Sequence, residues 1–141
     1  MTDETTPKKI TMARESEGVY TVTTESGAQL TFGRGEGLVS PVEMLLAAIA
    51  GCSSIDVDMM TTRRAEPDTF EVTATAEAVK NDDGNILRDI QVAFDLAFPE
   101  GADGDKARAR VASALKVSHD KYCTVSRTVE GGVPVSLVEK V

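Results

Sequence analysis

The chain of 141 residues carries two cysteines, Cys52 and Cys123, and a single histidine, His119. A pair of thiols offers one distinctive chemistry. A thiolate attacks the O–O bond of a peroxide and becomes a sulfenic acid, and a second thiol condenses with that acid to a disulfide. Cys52 lies in SPVEMLLAAIAGCSSIDVDMM, residues 40–60, where Leu45, Ala48, Ile55 and Met59 occupy its neighbouring helical positions. That setting suits an inert core cysteine. The small residues Ala47, Ala48, Ala50 and Gly51 before it, and the polar Ser53 and Ser54 after it, suit instead a sulfur that another group approaches. The residues alone leave both open.

Cys123 falls between the end of one expected helix and the start of another. The partial positive charge of a helix N-terminus, with Lys121 nearby in sequence, would favour its thiolate, whereas a capping or packing role needs no reactivity. His119, four residues earlier, could form a Cys–His dyad or stand as a solvated surface residue. Zinc needs about four ligands and the chain offers three soft ones, Cys52, Cys123 and His119, so neither metal nor other cofactor is expected. The glycines of FGRGEG, at 33, 35 and 37, do not make GxGxxG and mark a flexible loop.

The elements that must hold these groups follow from periodicity. Residues 1–8 are expected to be a disordered tail and 9–141 a single domain. KITMAR, VYTVTT and AQLTFG, separated by ESEG and ESG, predict an antiparallel meander. Ser40, Pro41 and Glu43 spell an N-cap, N1 and N3 capping box, opening a helix that should run to about Thr62. Val42, Met44, Leu45, Leu46, Ile49, Ile55 and Val57 cover most of its circumference, so it is expected to be buried on most sides. Phe70–Lys80 and Ile86–Phe98 predict a hairpin about Asp83-Gly84, the second arm alternating through Ile90, Val92, Phe94, Leu96 and Phe98. DGDKARARVASALKVSHDKY predicts an amphipathic helix with Ala107, Val111, Ala114, Leu115 and Ser118 inward. CTVSRTVE predicts a short helix closed by Gly131 and Gly132, and VPVSLVE a last strand. The order is βββαββααβ, an α+β fold.

Lys+Arg 15 against Asp+Glu 23 leaves a net charge of −8, which repels phosphate backbones and anionic lipid and excludes nucleic acid as a partner. The N-terminus has no apolar leader, and Ser53, Asp56 and Asp58 interrupt the apolar run short of the ~18 residues of a membrane span. A cytoplasmic protein is expected, with its thiols reduced.

SPVEMLLAAIAGCSSIDV together with SHDKYCTVS resembles the OsmC/Ohr family of thiol peroxidases, and more particularly its YhfA-type branch. There a Pro-x-Glu helix leads to Ala-Gly-Cys and a Lys-Tyr-Cys segment carries the second thiol. The resemblance implies an OsmC-like fold, with strands around a long central helix, in an intertwined homodimer with active sites at the subunit interface. It implies a reductase of organic hydroperoxides, with Cys52 in the peroxidatic and Cys123 in the resolving position and a cellular dithiol as reductant. It also implies an arginine from the N-terminal strands, for which Arg14 is the match, and a glutamate at the start of the central helix, for which Glu43 stands. In Ohr-type members the glutamate directly follows the proline, where this chain has Val42. Glu43 is thus displaced by about 100° around the helix. Arg34, Arg63 and Arg64 are further candidate cations. An apolar pocket from Leu45, Ile49, Met59 and a partner chain would favour alkyl hydroperoxides. The competing expectations are a binding protein for a small hydrophobic ligand, whose cysteines are packing or a slow redox switch, and a purely structural dimer core.

Overall fold

The computed structural model describes residues 3–140. It contains two compact units, residues 1–45 and 46–141, which are described separately. The expected tail falls partly on residues 1 and 2, outside the described range; residues 3–9 carry no regular structure and are exposed.

The first unit is the meander. β1 (Ile10–Ser16), β2 (Val19–Thr24) and β3 (Gln29–Gly33) form an antiparallel sheet in the order β1-β2-β3. Tyr20 faces Phe32 across β2 and β3, ring centroids 6.0 Å apart, a cross-strand aromatic pair of the kind that fixes register. Gly33 has φ +141°, and a Cβ there would fall on the Gly18 carbonyl, so the strand closes on its neighbour only because the side chain is absent. Ile10, Met12, Val22, Leu30, Phe32 and Met44 line an open apolar groove of about 430 Å³. The unit ends in the first turn of α1 (Pro41–Thr62), where Glu43 Oε1 accepts from the Ser40 N–H at 2.9 Å and Ser40 Oγ accepts from the Glu43 N–H at 3.1 Å. The capping box is therefore formed as its sequence predicts.

The second unit holds the rest of α1 and everything after it. Its hairpin, β4 (Thr69–Asn81) and β5 (Gly84–Ala97), turns tightly with Asn81 opposite Gly84, and Asp83 N–H donates to Asn81 Oδ1 at 3.0 Å. A bulge between Thr75 and Glu77 puts Asp89 at φ 53°, the left-handed region that aspartate tolerates better than most residues. Ile90, Val92, Phe94 and Leu96 lie on the more buried face of β5, alternating with exposed neighbours as expected for period two. α2 (Ala102–Val117) turns Gly104, Ala107 and Ala114 inward. It continues into a π-helical turn, Ser118–Tyr122, which the sequence periodicity does not distinguish from the helix before it. α3 (Thr124–Glu130) follows, ending at Gly131, with Gly132 at φ +61°.

Two expectations about burial are corrected. α1 is not buried on most sides: Ile49, Val57 and Thr61 are buried, whereas Ile55 and Met59 are 63% and 58% exposed. Spacings of four and eight residues make the buried side a single stripe, and Ile55 and Met59 lie outside it. VPVSLVE forms no strand; Val133, Val135, Leu137 and Val138 are exposed, because no edge in the described chain pairs with them. The 22 residues of α1 are also long and apolar enough to cross a membrane by length and composition, despite the interruptions at Ser53, Asp56 and Asp58. The core helix of a soluble protein meets the same measure.

Candidate active site

The π turn and α3 bring Cys123 against α1. Both cysteines are free, Cys123 fully buried and Cys52 partly exposed. Cys123 is the N-cap of α3 with φ −76° and ψ 93°, and its sulfur accepts from the Ser126 N–H at 3.5 Å. Ser53 Oγ donates to the same sulfur at 3.3 Å, and Ser126 Oγ lies 3.1 Å from it. In the thiol form Cys123 donates to Ser126; in the thiolate form the Ser126 hydroxyl rotates to donate back. Cys52 also lowers the Cys123 pKa, and Ser53, its neighbour on α1, donates to the Cys123 sulfur, so thiols 71 residues apart in sequence are brought to one site.

This environment decides the state of Cys123. Burial of the sulfur, the largest single influence, pushes its pKa up, but the hydrogen bonds from Ser126, Ser53, the Ser126 N–H and Cys52 together outweigh it and hold the thiol below 9.0. The expected helix N-terminus contributes through the Ser126 N–H, but Lys121 does not: it projects over the Tyr122 ring, its Nζ 5.4 Å from the centroid. His119 does not form the dyad either. Its Nε2 lies 2.9 Å from Glu130 Oε1 and its Nδ1 3.3 Å from Asp120 Oδ1. The hydrogen bond to Glu130, then that to Asp120, raises the His119 pKa above 6.5. The ring ties the π turn to the end of α3, on either side of Cys123.

A cavity of about 340 Å³ adjoins this arrangement. Ile90, Val92 and Phe94 of β5, Leu115 of α2 and Ile49 of α1 form its apolar wall, while Ser53, Ser126, His119 and Glu130 supply polar edges. Of the pocket residues expected from sequence, Ile49 is present and Met59 is not; Leu45 belongs to the first unit. Around Cys52, Ile55 and Met59 are exposed and a Cβ at Gly51 would meet nothing within 4 Å, so within a single chain its sulfur is partly exposed.

Arg14 and Glu43 fall in the first unit. Arg14 is exposed on β1 opposite Tyr20, next to the irregularity before Ser16. The Glu43 carboxylate is committed to the cap, where the Ser40 N–H, followed by the Ser40 hydroxyl, lowers its pKa below 4.5. Sequence reasoning passed over Ser126, although its place three residues after an N-cap is the position whose backbone N–H seeks a capping acceptor.

Two thiols brought to one site at a helix N-cap, beside an apolar cavity in an α+β chain, form a candidate redox centre. Family comparison gives the more specific placement. The profile described as "OsmC-like protein" matches residues 33–138, and protein YhfA of Escherichia coli K12 is 31% identical over 103 residues, 72% of each chain. The chain belongs to the OsmC family. The fold matches a hypothetical protein from Aquifex aeolicus VF5 with TM-score 0.71 at 23% identity, covering 92% of this chain and 91% of the other. It also matches an OsmC-like protein from Mycoplasma pneumoniae with TM-score 0.66 at 19% identity, covering 89% of each. The organic hydroperoxide resistance protein OhrB of Bacillus subtilis shares the fold with TM-score 0.53 at 17% identity, covering 91% and 93%.

Proposed function

We propose that the chain reduces organic hydroperoxides by a two-thiol cycle. The observation that carries this reading is the Ser53–Cys123 hydrogen bond, which places the buried sulfur of Cys123, also held by Ser126, beside the turn of α1 that carries Cys52. The more accessible Cys52, as thiolate, attacks the distal peroxide oxygen; the O–O bond breaks, the alcohol leaves with a proton, and Cys52 becomes a sulfenic acid. Cys123 is closed to solvent, and Cys52 is the residue next to its donor Ser53. Its thiolate attacks the sulfenic sulfur, the S–O bond breaks, water leaves, and a Cys52–Cys123 disulfide remains. A cellular dithiol reduces that disulfide by exchange. The apolar wall of Ile49, Ile90, Val92 and Phe94 suits the organic part of an alkyl hydroperoxide better than hydrogen peroxide.

The working form in this reading is a cytoplasmic homodimer. The exposed Ile55 and Met59 of α1 and the unpaired Val133–Val138 segment are apolar surface that a second copy would cover. Arg14 and Glu43 would position and activate the Cys52 thiolate in that assembly. The same cavity favours one second reading, a carrier of a small hydrophobic ligand whose thiols switch slowly.

The test mixes fully reduced protein with stoichiometric cumene hydroperoxide and, separately, hydrogen peroxide, and follows thiol loss from milliseconds to seconds. Rapid disulfide formation, replaced in Cys123→Ser by a Cys52 sulfenic acid, is the expected result. Thiols that persist for many minutes would rule out the peroxidase and leave the carrier, and equal rates with the two oxidants would remove the preference for organic peroxides.

A further inference from the structure

We infer that Asp56 and Ser118 form a positioning pair that fixes the π-helical turn and so presents Cys123 to Cys52. The inference rests on the two-thiol reading for its kinetic consequence but not for its structural one. Ser118 is 1% exposed, and its Oγ donates to Asp56 Oδ2 at 2.7 Å across 62 residues of sequence. Asp56 lies on α1, four residues after Cys52 and three after Ser53, one helical turn from both. The same Ser118 accepts the Cys123 N–H through its main-chain carbonyl at 2.8 Å. One residue therefore ties the backbone of the second cysteine to the helix of the first.

That bond runs from residue 123 to residue 118, where a continuing α-helix would join 123 to 119. Such wide turns are rare and persist where surrounding contacts impose them. A serine near a helix end ordinarily bonds a carbonyl one turn back; Ser118 turns its hydroxyl to a distant carboxylate instead. Asp56 stands on a largely apolar helix, and among the described residues no cation lies within ion-pair distance of it. Without the pair, the turn relaxes toward α geometry and the sulfur leaves the donors Ser53 and Ser126.

The sign of the effect separates positioning from plain electrostatics. Removing a negative charge near a sulfur favours its thiolate. Loss of the positioning bond does the reverse, since it detaches the donors. The test is the pH titration of the Cys123 thiolate absorbance in a Cys52→Ser background, which needs no peroxide. Asp56→Ala and Ser118→Ala should each raise the midpoint by about one unit, and the double variant should raise it no further than either single one. Asp56→Asn keeps an acceptor oxygen and should leave the midpoint at or below that of the parent. Asp56→Leu, close in volume but without the acceptor, replaces the alanine variant if circular dichroism shows that variant unfolded, with the same upward shift expected. With both cysteines present, disulfide closure should slow about threefold to tenfold in the alanine variants while Cys52 sulfenic acid forms at the parental rate. An unchanged or lowered midpoint in Asp56→Ala and Ser118→Ala would overturn the inference. If the unaltered protein proves inert to peroxide, the two-thiol cycle fails, and the thiolate titration still decides the pair.

Discussion

Replacing the two hydroxyls that face Cys123 should move its pKa from below the ordinary thiol value to above it. Ser53 Oγ donates at 3.3 Å, Ser126 Oγ stands at 3.1 Å, and the sulfur is fully buried, so solvent offers the charge no substitute. A hydrogen bond to a charged group contributes about 1.5–3 kcal/mol. Sulfur contacts of this length belong at the lower end, and about 1.4 kcal/mol corresponds to one pKa unit. Ser53→Ala and Ser126→Ala should therefore each raise the Cys123 midpoint by about one unit, and the double variant by more than either single one. Desolvation, until then outweighed, would carry the doubly substituted thiol above the ordinary 9.0. The ultraviolet absorbance of the thiolate, titrated in a Cys52→Ser background, reads this directly. Stability gives an independent check. A folded-state pKa below the unfolded one contributes stability that is complete above the unfolded value and is lost as pH falls through the folded one. The parent should thus lose stability relative to the double variant between about pH 9 and its own Cys123 midpoint. A midpoint unmoved in the double variant would refute the assignment of the hydroxyls as the stabilising donors.

His119 should titrate above 6.5 in proton NMR, and Glu130→Gln should bring it down, because the Glu130 hydrogen bond is the leading cause of its shift. Its contribution to stability is complete below 6.5 and fades as pH rises through the raised value; a His119 midpoint indifferent to Glu130→Gln would contradict that cause. Ser40→Ala should cost about 1 kcal/mol in urea unfolding through loss of the α1 cap, and no change in midpoint would deny the capping box any energetic weight. Gly104→Ala should be far more damaging than an ordinary surface change. The added Cβ would fall on the Pro99 carbonyl, so the start of α2 must move, and an unchanged melting temperature would mean that this approach is looser than the structure shows.

The long elements were legible because local chemistry determines them. The Ser40–Pro41–Glu43 signature placed the start of α1, and alternation through Ile90, Val92, Phe94 and Leu96 placed the inner face of β5. The family was legible too, through the two motifs around Cys52 and Cys123 that carry the resemblance. Burial of α1 was misjudged because composition counts apolar residues without saying which of them the same chain covers, as Ile55 and Met59 demonstrate. VPVSLVE has the pattern of a strand but not the partner, and a strand is defined by both. The donors to Cys123 were hidden for a different reason. Ser53 is 70 residues away in sequence, and the link from Ser118 to Asp56 spans 62, so neither belongs to any local pattern. The π turn was invisible because its five residues, SHDKY, have no periodicity of their own to set against that of α2.

Most helices are capped by oxygen, an atom that a peroxide leaves alone. In this chain the cap of α3 is the sulfur of Cys123, which receives the Ser126 N–H as a thiol or, more strongly, as a thiolate. Joining that sulfur to another removes its charge and redirects its lone pairs, so oxidation withdraws the cap from a helix of only seven residues, too short to hold itself together without outside support. The electron count of one atom thereby becomes a mechanical property of the segment behind it. Amide protons at the front of α3 should exchange faster in the oxidised chain, a record of redox history written in the backbone rather than at the sulfur.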